Sequence, residues 1–376
     1  MIFRNMHIWA TLFLCWVLPA HLFADTVVIL EGSQERTLEG EILLEAQDQS
    51  MLFQKRGGEL LILAADQIKS KLESEIPTVP LTADEIAANL LKELPGDFKI
   101  KQTQHYVIAY QTEDDYAKWI STLYEKKLYK AYGTFSKKLL KLEPKEPQYP
   151  LVAIVFGSKP EYERYIFKQK LQADLGDAPA FYNQMSNRVI MYDLTFDLGD
   201  GNGPKRKLRE ILSRKEAIPM VATVVHEATH QLMHNRGLQT RMADRPLWIN
   251  EGLAIYFEAP NRKGWSRPGQ THHGRLECFR GYLAKSRPVN SIESLVANDQ
   301  RFSGPGVLQA YAESWALVHF LSKAMPDKLA SYLESSAAQP LCRSFSNEER
   351  LTEFEKHFGD RKQLEKRFIK YIRKLK

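Results

Sequence analysis

The chain has 376 residues and a formal net charge of +6, from 52 lysines and arginines against 46 aspartates and glutamates. Much of the basic excess lies in residues 204–215 and 365–376, runs of the kind that usually forms solvated helix faces. Nucleic-acid binding would need basic residues interleaved with aromatic ones on one face, so we expect no nucleic-acid partner. The composition leaves the oligomeric state open.

The N-terminus predicts export. Arg4 is the only formally charged side chain in the first 24 residues, and the apolar stretch IWATLFLCWVLPAHLFA follows it. This pattern is typical of a secretory signal peptide, here residues 1–24 with cleavage after Ala24 and release to the periplasm or the extracellular space. The apolar core of about a dozen residues is short for a membrane span, which needs about 20, and an uncleaved anchor is the alternative. An oxidising compartment permits a disulfide between Cys278 and Cys342, but the sequence does not show whether their Cα atoms approach each other.

Residues 25–75 predict a small β module. Their apolar residues fall in short alternating runs separated by EGSQ and RGG, at positions 26–30, 41–45, 51–55 and 59–63. This pattern is typical of a compact β-barrel or a meander. The module contains no histidine, no cysteine and no acid cluster suited to catalysis, so we expect an accessory role, with the cell envelope as a candidate partner. Pro77 and Pro80 indicate a linker over residues 76–97.

Residues 98–376 predict a domain that mixes helix and strand. Strands are indicated by the apolar stretches FKIKQTQHYVIAYQT and YPLVAIVFGS, and AFYNQMSNRVIMYDL predicts two strands joined around Asn183–Asn187. Helices are indicated by the periodicity of residues 113–142 and 159–172, and the sequence after residue 216 is mainly helical. The fold class is therefore predicted to be α+β, with a small sheet, helices packed against it and a helical C-terminal part.

The stretch HEATH lies on a predicted helix that Pro219 can begin and Gly237 can end. Residues four apart lie on one face of a helix, so His226 and His230 point the same way and can both bind one Zn²⁺ ion. Glu227 is rotated by about 100° from His226. It can therefore accept a proton beside the metal without binding the metal itself.

A catalytic zinc ion needs a third protein ligand and an open fourth position. The helical stretch PLWINEGLAIYFE offers Glu251, 21 positions after His230. A carboxylate is costly to bury on an apolar helix unless an opposite charge pairs with it, and a metal ion would supply that charge. Glu258 is the rival acid on the same stretch, and we expect Glu251 to bind the metal instead.

HEATH followed by NEGLA resembles the gluzincin branch of zinc metallopeptidases, the thermolysin-like and aminopeptidase-like group. PLWINEGLAIYFE and YAESWALVHFL are similar, more narrowly, to a poorly characterised family of exported bacterial peptidase-like proteins, over residues 98–375. The resemblance implies a zincin-like domain in which His226, His230 and Glu251 bind Zn²⁺ and Glu227 is the general base. The β module lies outside the resemblance.

The chain departs from thermolysin-like enzymes at one position. Those enzymes carry an aspartate four residues beyond the ligand glutamate, where it orients a zinc-bound histidine, and Ile255 stands there in this chain. Another side chain must then orient the histidine, with Asn250 and Asp244 as candidates. The same branch uses a downstream tyrosine or histidine to stabilise the developing negative charge on the substrate oxygen. Tyr311 is the predicted donor, and His319 is the alternative.

Other polar stretches have simpler interpretations. His234 lies about 6 Å along the helix axis from His230, too far to bind the same ion, and we interpret it as a helix-end residue favoured by the dipole. His272 and His273 lie in a predicted loop and are candidates for substrate contact. The stretch DLGDGNG (residues 197–203) does not match a calcium-binding loop and predicts a plain loop.

These features support two classes of function. The leading prediction is an exported zinc peptidase that hydrolyses peptide bonds in a peptide or protein substrate. The stretch NRVIMYD (residues 187–193) would then be the edge strand that pairs with the substrate backbone. The alternative is a non-catalytic cell-envelope protein whose zinc site is structural or vestigial. Glu227 favours catalysis, because a structural site needs no acid beside the metal.

Overall fold

The computed structural model describes residues 24–171, 178–195, 207–261, 264–265 and 267–376. All of the predicted signal peptide except Ala24, and all of DLGDGNG, lie outside these residues. Among the helices that the structure describes, none combines the length and the apolar character needed to cross a membrane.

The N-terminal part is a five-stranded antiparallel sheet. Its strands lie in the order β4-β3-β2-β1-β5 and are β1 (Asp25–Glu31), β2 (Gln34–Glu45), β3 (Met51–Lys55), β4 (Leu60–Leu63) and β5 (Ile68–Leu72). Alternating apolar residues form a small separate core on one face: Val27, Ile29, Leu38, Met51, Phe53 and Leu63. Over residues 25–72, all of which are described, the outer strands β4 and β5 do not pair with each other. The β module is therefore an open sheet and not a closed barrel.

Residues 76–97, predicted as a linker, contain helix α1 (Ala83–Glu93). Thr82 and Glu85 form a capping box, in which the Thr82 hydroxyl accepts from the Glu85 N–H and the Glu85 carboxylate accepts from the Thr82 N–H. Leu90 of this helix is buried in the main core. The linker prediction is wrong for this helix, because the two prolines mark only the segment before it.

The second sheet has five strands in the order β6-β7-β8-β10-β9. They are β6 (Lys99–Gln102), β7 (Tyr106–Tyr110), β8 (Leu151–Phe156), β9 (Ala180–Asn183) and β10 (Arg188–Tyr192). β10 pairs in parallel with β8 on one side and antiparallel with β9 on the other. The prediction that residues 187–193 form the edge strand is therefore wrong, because the hairpin places β9 outside β10.

Helices cover the second sheet and form the C-terminal part, which confirms the α+β class. The first is α2, a continuous helix over residues 114–140 with π-helical stretches. The others are α3 (Lys159–Lys168), α4 (Leu208–Leu212), α5 (Ala217–Asn235), α6 (Leu247–Glu258), α7 (His273–Lys285), α8 (Ser291–Ala297), α9 (Val307–Ala324), α10 (Pro326–Ala337), α11 (Asn347–Phe358) and α12 (Arg361–Lys374). As predicted, α5 is followed by Gly237, whose φ of 92° lies in the left-handed region that glycine tolerates.

Close packing between α6 and α9 fixes the position of the stretch NEGLA. A Cβ atom at Gly252 would lie 2.7 Å from Val318 Cγ2 and 2.8 Å from the Ser314 carbonyl oxygen. Only glycine allows the two helices to approach so closely at this point. Glu251 directly precedes Gly252, so the close contact between the two helices also fixes where Glu251 lies.

Candidate metal centre

Helices α5 and α6 bring the three predicted ligands together. His226 Nε2 lies 3.1 Å from His230 Nε2 and 3.1 Å from Glu251 Oε2, and His230 Nε2 lies 3.6 Å from Glu251 Oε1. A tetrahedral ion with bonds of about 2.0–2.1 Å separates its ligand atoms by about 3.3–3.4 Å. His226, His230 and Glu251 can therefore hold one metal ion.

The hydrogen bonds of His226 leave the lone pair of its Nε2 directed towards the other two candidate ligands. His226 Nδ1 lies 2.7 Å from Glu258 Oε2, and because a carboxylate only accepts, Nδ1 carries the proton. Nε2 is then free to donate its lone pair, although it faces the Glu251 carboxylate, which is also an acceptor. Two acceptors at this distance require a positive charge or a proton between them. Burial opposes a proton on His226, but Glu251 and Glu258 raise its pKa well above the usual value, so this is a site for positive charge.

Glu258 contacts Nδ1 of His226, on the opposite side of the ring from Nε2, and is not one of the three candidate ligands. Its Oε1 lies 3.3 Å from His272 Nε2 and 3.8 Å from Arg275 Nη2, while its Oε2 contacts His226. Although burial opposes the charged form, the hydrogen bonds to His226 and His272 lower the pKa of Glu258 to about 2. The carboxylate therefore stays charged and fixes the ring orientation of His226, the task that an aspartate performs in thermolysin-like enzymes.

The two residues predicted for that orienting task do something else. Asn250 donates a hydrogen bond of 3.1 Å to Glu251 Oε1, and Asp244 is held by two bonds from the guanidinium of Arg350. Neither side chain is bonded to a histidine of the site. The sequence indicated Glu258 only as a rival ligand and did not predict its contact with His226, although its spacing of two helical turns places it on the same face of α6 as Glu251.

A pair of isosteric substitutions separates the two acids. We expect Glu258→Gln to retain the metal with an affinity lowered by about 10–100-fold, because only the orientation and basicity of His226 change. Glu251→Gln should lose most of the metal, since it removes a ligand charge. Competition against a chromophoric chelator measures both affinities, and equal losses in the two variants would contradict the assignment.

Glu227 lies beside the ligand group and faces the edge strand. Its Oε2 accepts a hydrogen bond of 2.8 Å from the Tyr182 N–H of β9. Burial raises the pKa of the Glu227 carboxyl, although the charges of His226 and His230 oppose the shift. A carboxylate with a raised pKa is a better proton acceptor near neutral pH. The same hydrogen bond shows that the outer edge of β9 faces the ligand group.

Tyr311 lies near the start of α9, within electrostatic range of the site. Burial raises the pKa of its phenol, and the negative charges of Glu251 and Glu227 raise it further. The guanidinium of Arg275 lies 5.7 Å from the centre of the Tyr311 ring. The structure therefore brings this predicted donor close to the acids of the site.

His319, the alternative donor, belongs to the core. It is 2% exposed, and its Nδ1 lies 2.9 Å from the Tyr371 hydroxyl. Its ring packs against Trp315 and Tyr256. Burial, with a smaller contribution from Lys323, lowers the pKa of His319 to about 4.

His234 is half-buried, with its ring stacked on that of Tyr182 at a centroid distance of 5.4 Å. Its Nε2 contacts the guanidinium of Arg245. Burial and then the positive charge of Arg245 lower the pKa of His234 well below its usual value. The helix dipole does not stabilise a neutral ring, so the dipole interpretation of His234 is wrong.

The two histidines of the predicted loop have different roles. His272 caps α7, where its Nδ1 accepts a hydrogen bond from the Arg275 N–H, and its Nε2 faces Glu258. His273 begins α7 and is exposed. Both cysteines in the described part of the chain, Cys278 and Cys342, are free thiols.

Comparison with known proteins gives one similarity. A family model described as "Protein of unknown function (DUF1570)" matches residues 220–342. No curated protein matches the chain. The matched segment contains most of α5 and all of α6 and α9, but neither of the two five-stranded sheets. The chain is therefore similar to this family over the segment that carries the three candidate ligands, Glu227 and Tyr311.

Proposed function

We propose that the protein is a zinc-dependent peptidase of the gluzincin type. The observation that carries the proposal is the convergence of His226, His230 and Glu251 on one point, with the carboxylate of Glu227 beside them. Two imidazoles and one carboxylate are a ligand set of catalytic zinc, which leaves a fourth position open for water or substrate. The resemblance of HEATH and NEGLA to the gluzincin branch supports the same assignment.

A zinc ion held by these residues would polarise the scissile carbonyl and lower the pKa of a water molecule. Glu227 accepts the proton of the attacking water and passes it to the leaving nitrogen, a task that its raised pKa favours. Glu258 holds the Nδ1 proton of His226 and thereby directs Nε2 towards the metal position. Tyr311 donates a hydrogen bond to the substrate oxygen as it becomes negative.

The edge strand favours a peptide as the substrate. β9 has no strand on its outer side among the described residues, and an extended peptide can pair with such an edge through its backbone. The Tyr182 N–H on that side already points to Glu227. A peptide bond held along β9 therefore comes within reach of the proposed base.

Export to the periplasm or the extracellular space stays a prediction, as does contact between the β module and the cell envelope. The alternative is a non-catalytic protein with a structural or vestigial zinc site. Such a protein would also bind the metal. Zinc analysis combined with digestion of a peptide library separates the two functions, because only the peptidase generates new peptide termini.

We expect Tyr311→Phe to lower turnover by about 10²–10³-fold, because the phenol is the proposed donor to the substrate oxygen. Zinc content and folding should not change, since only one hydroxyl is removed. Tyr371→Phe is the matched control, because its hydroxyl contacts the core residue His319 and not the acids of the metal centre. Steady-state hydrolysis of one cleaved peptide measures both variants. Turnover at the wild-type rate in Tyr311→Phe would exclude this role.

A further inference from the structure

Arg241 and Arg245 lie between α5 and α6, and neither forms an ion pair with an acid among the described residues. The Arg241 guanidinium donates to the carbonyl oxygens of Gly58 and Gln184, and that of Arg245 contacts Gln184 Oε1 and His234 Nε2. All four acceptors are neutral groups, and within the described part of the chain neither arginine forms an ion pair. The Nε–H of Arg245 is buried and has no hydrogen-bond partner. Burial of a cation without a counter-charge is unfavourable unless something offsets it.

The acids around these arginines are already engaged. Asp244 is bound by Arg350, and Glu59 is paired with Arg188 at 3.0 Å. Glu251, the remaining acid that interacts with Arg245, belongs to the candidate metal centre. A metal ion there would neutralise part of the charge of Glu251. Among the residues that the structure describes, no carboxylate therefore forms an ion pair with Arg245.

Arg245 lies at one end of the candidate substrate path. Its partner His234 is one helical turn beyond the ligand His230, and its other partner, Gln184, directly follows β9. Tyr182 of β9 links the proposed base to the surroundings of Arg245, because its N–H donates to Glu227 and its ring stacks on His234. A peptide that pairs with β9 and continues towards Gln184 would approach the Arg245 guanidinium.

We propose that Arg245 binds a carboxylate of the peptide substrate, either an acidic side chain or the C-terminal carboxylate. The proposal rests on the proposed peptidase function and names a substrate class for it. A guanidinium has five donors and binds a carboxylate in a bidentate, charge-assisted manner. Arg245 is partly exposed, and the contacts to His234 and Gln184 leave donors unused.

The β module acts in this proposal as a positioning element. Arg241 connects Gly58 of the module to Gln184, and the Leu60 N–H of β4 donates to the Met185 carbonyl oxygen at 2.7 Å. These bonds hold the turn after β9, which carries the Gln184 side chain that orients Arg245. The module thereby supports the carboxylate site without contacting the substrate.

Binding to an inactive but folded protein tests the proposal. The full chain with Glu227→Gln is loaded with zinc and titrated with fluorescein-labelled decapeptides in which one glutamate or one glutamine is moved through each position. Fluorescence anisotropy gives the dissociation constants. At one position we expect the glutamate peptide to bind about tenfold more tightly than the glutamine peptide, the effect of a charge-assisted hydrogen bond. Peptides with a free or an amidated C-terminus show whether the terminal carboxylate is the source instead.

The second variant, Arg245→Gln, should abolish this preference, so that the glutamate peptide binds no more tightly than the glutamine peptide. Arg343→Gln removes the same charge from an exposed arginine that is paired with Glu349, and it should retain the preference. Equal weakening of charged and neutral peptides by Arg245→Gln would assign the arginine a purely structural role and overturn the proposal. Lack of any carboxylate preference, including lack of binding, would overturn it as well.

The test does not depend on turnover. If the protein prefers carboxylate peptides but the wild type hydrolyses none, the peptidase proposal is contradicted and the carboxylate site is supported. If the wild type hydrolyses peptides but shows no carboxylate preference, the peptidase proposal is supported and the carboxylate site is contradicted.

Discussion

Replacing Glu227 by glutamine should lower turnover by about two to four orders of magnitude while zinc remains bound. The amide has nearly the same size as the carboxylate, and its oxygen can still accept the hydrogen bond from the Tyr182 N–H. It does not take up a proton, so the substitution removes the proposed base and little else. Steady-state hydrolysis and zinc content, measured on the same preparation, test this expectation.

Glu216→Gln is the matched control for this substitution. Glu216 precedes α5 and is exposed, so the same chemical change at this position should leave turnover and zinc content as they are. Hydrolysis by Glu227→Gln at the wild-type rate would show that another group accepts the proton.

Replacing His226 or His230 by alanine should empty the metal site and abolish hydrolysis. Each substitution removes one of three ligands, and metal binding is coupled to folding, so both variants should also lose stability. His226→Ala should cost about 1–3 kcal/mol more than His230→Ala, because the buried carboxylate of Glu258 loses its closest partner. Elemental analysis and denaturant unfolding measure the two effects.

His234→Ala is the control for the ligand substitutions. His234 lies on the same helix but contacts Arg245 and Tyr182, so its removal should leave the zinc content unchanged. A full complement of zinc in either His226→Ala or His230→Ala would refute the ligand assignment.

Local patterns predicted the parts of the molecule that depend on local geometry. The spacing of His226 and His230 fixes their common face on any helix, and the hairpin around residues 183–187 follows from two apolar runs with a polar turn between them. The capping box at Thr82 is also a local signal. The nearby prolines Pro77 and Pro80 favour a linker instead, so the two local signals conflict in this segment.

Contacts between distant segments were harder to predict. The position of β10 inside the sheet depends on its parallel pairing with β8, more than 30 residues earlier, and strand order does not follow from a single stretch. Glu258 had the right spacing, but its role depends on which acid faces the second nitrogen of His226. The lack of an acidic partner at Arg241 and Arg245 appears only when the partners of all surrounding acids are known.

Hydrolysis of a peptide library tests the central claim most directly. The full chain is incubated with a mixture of peptides of diverse sequence, and mass spectrometry counts new termini in three samples: as purified, after chelation, and after chelation followed by added zinc. The proposed function predicts new termini in the first sample, their absence in the second and their return in the third. A zinc-loaded protein that generates no new termini in any sample would contradict it.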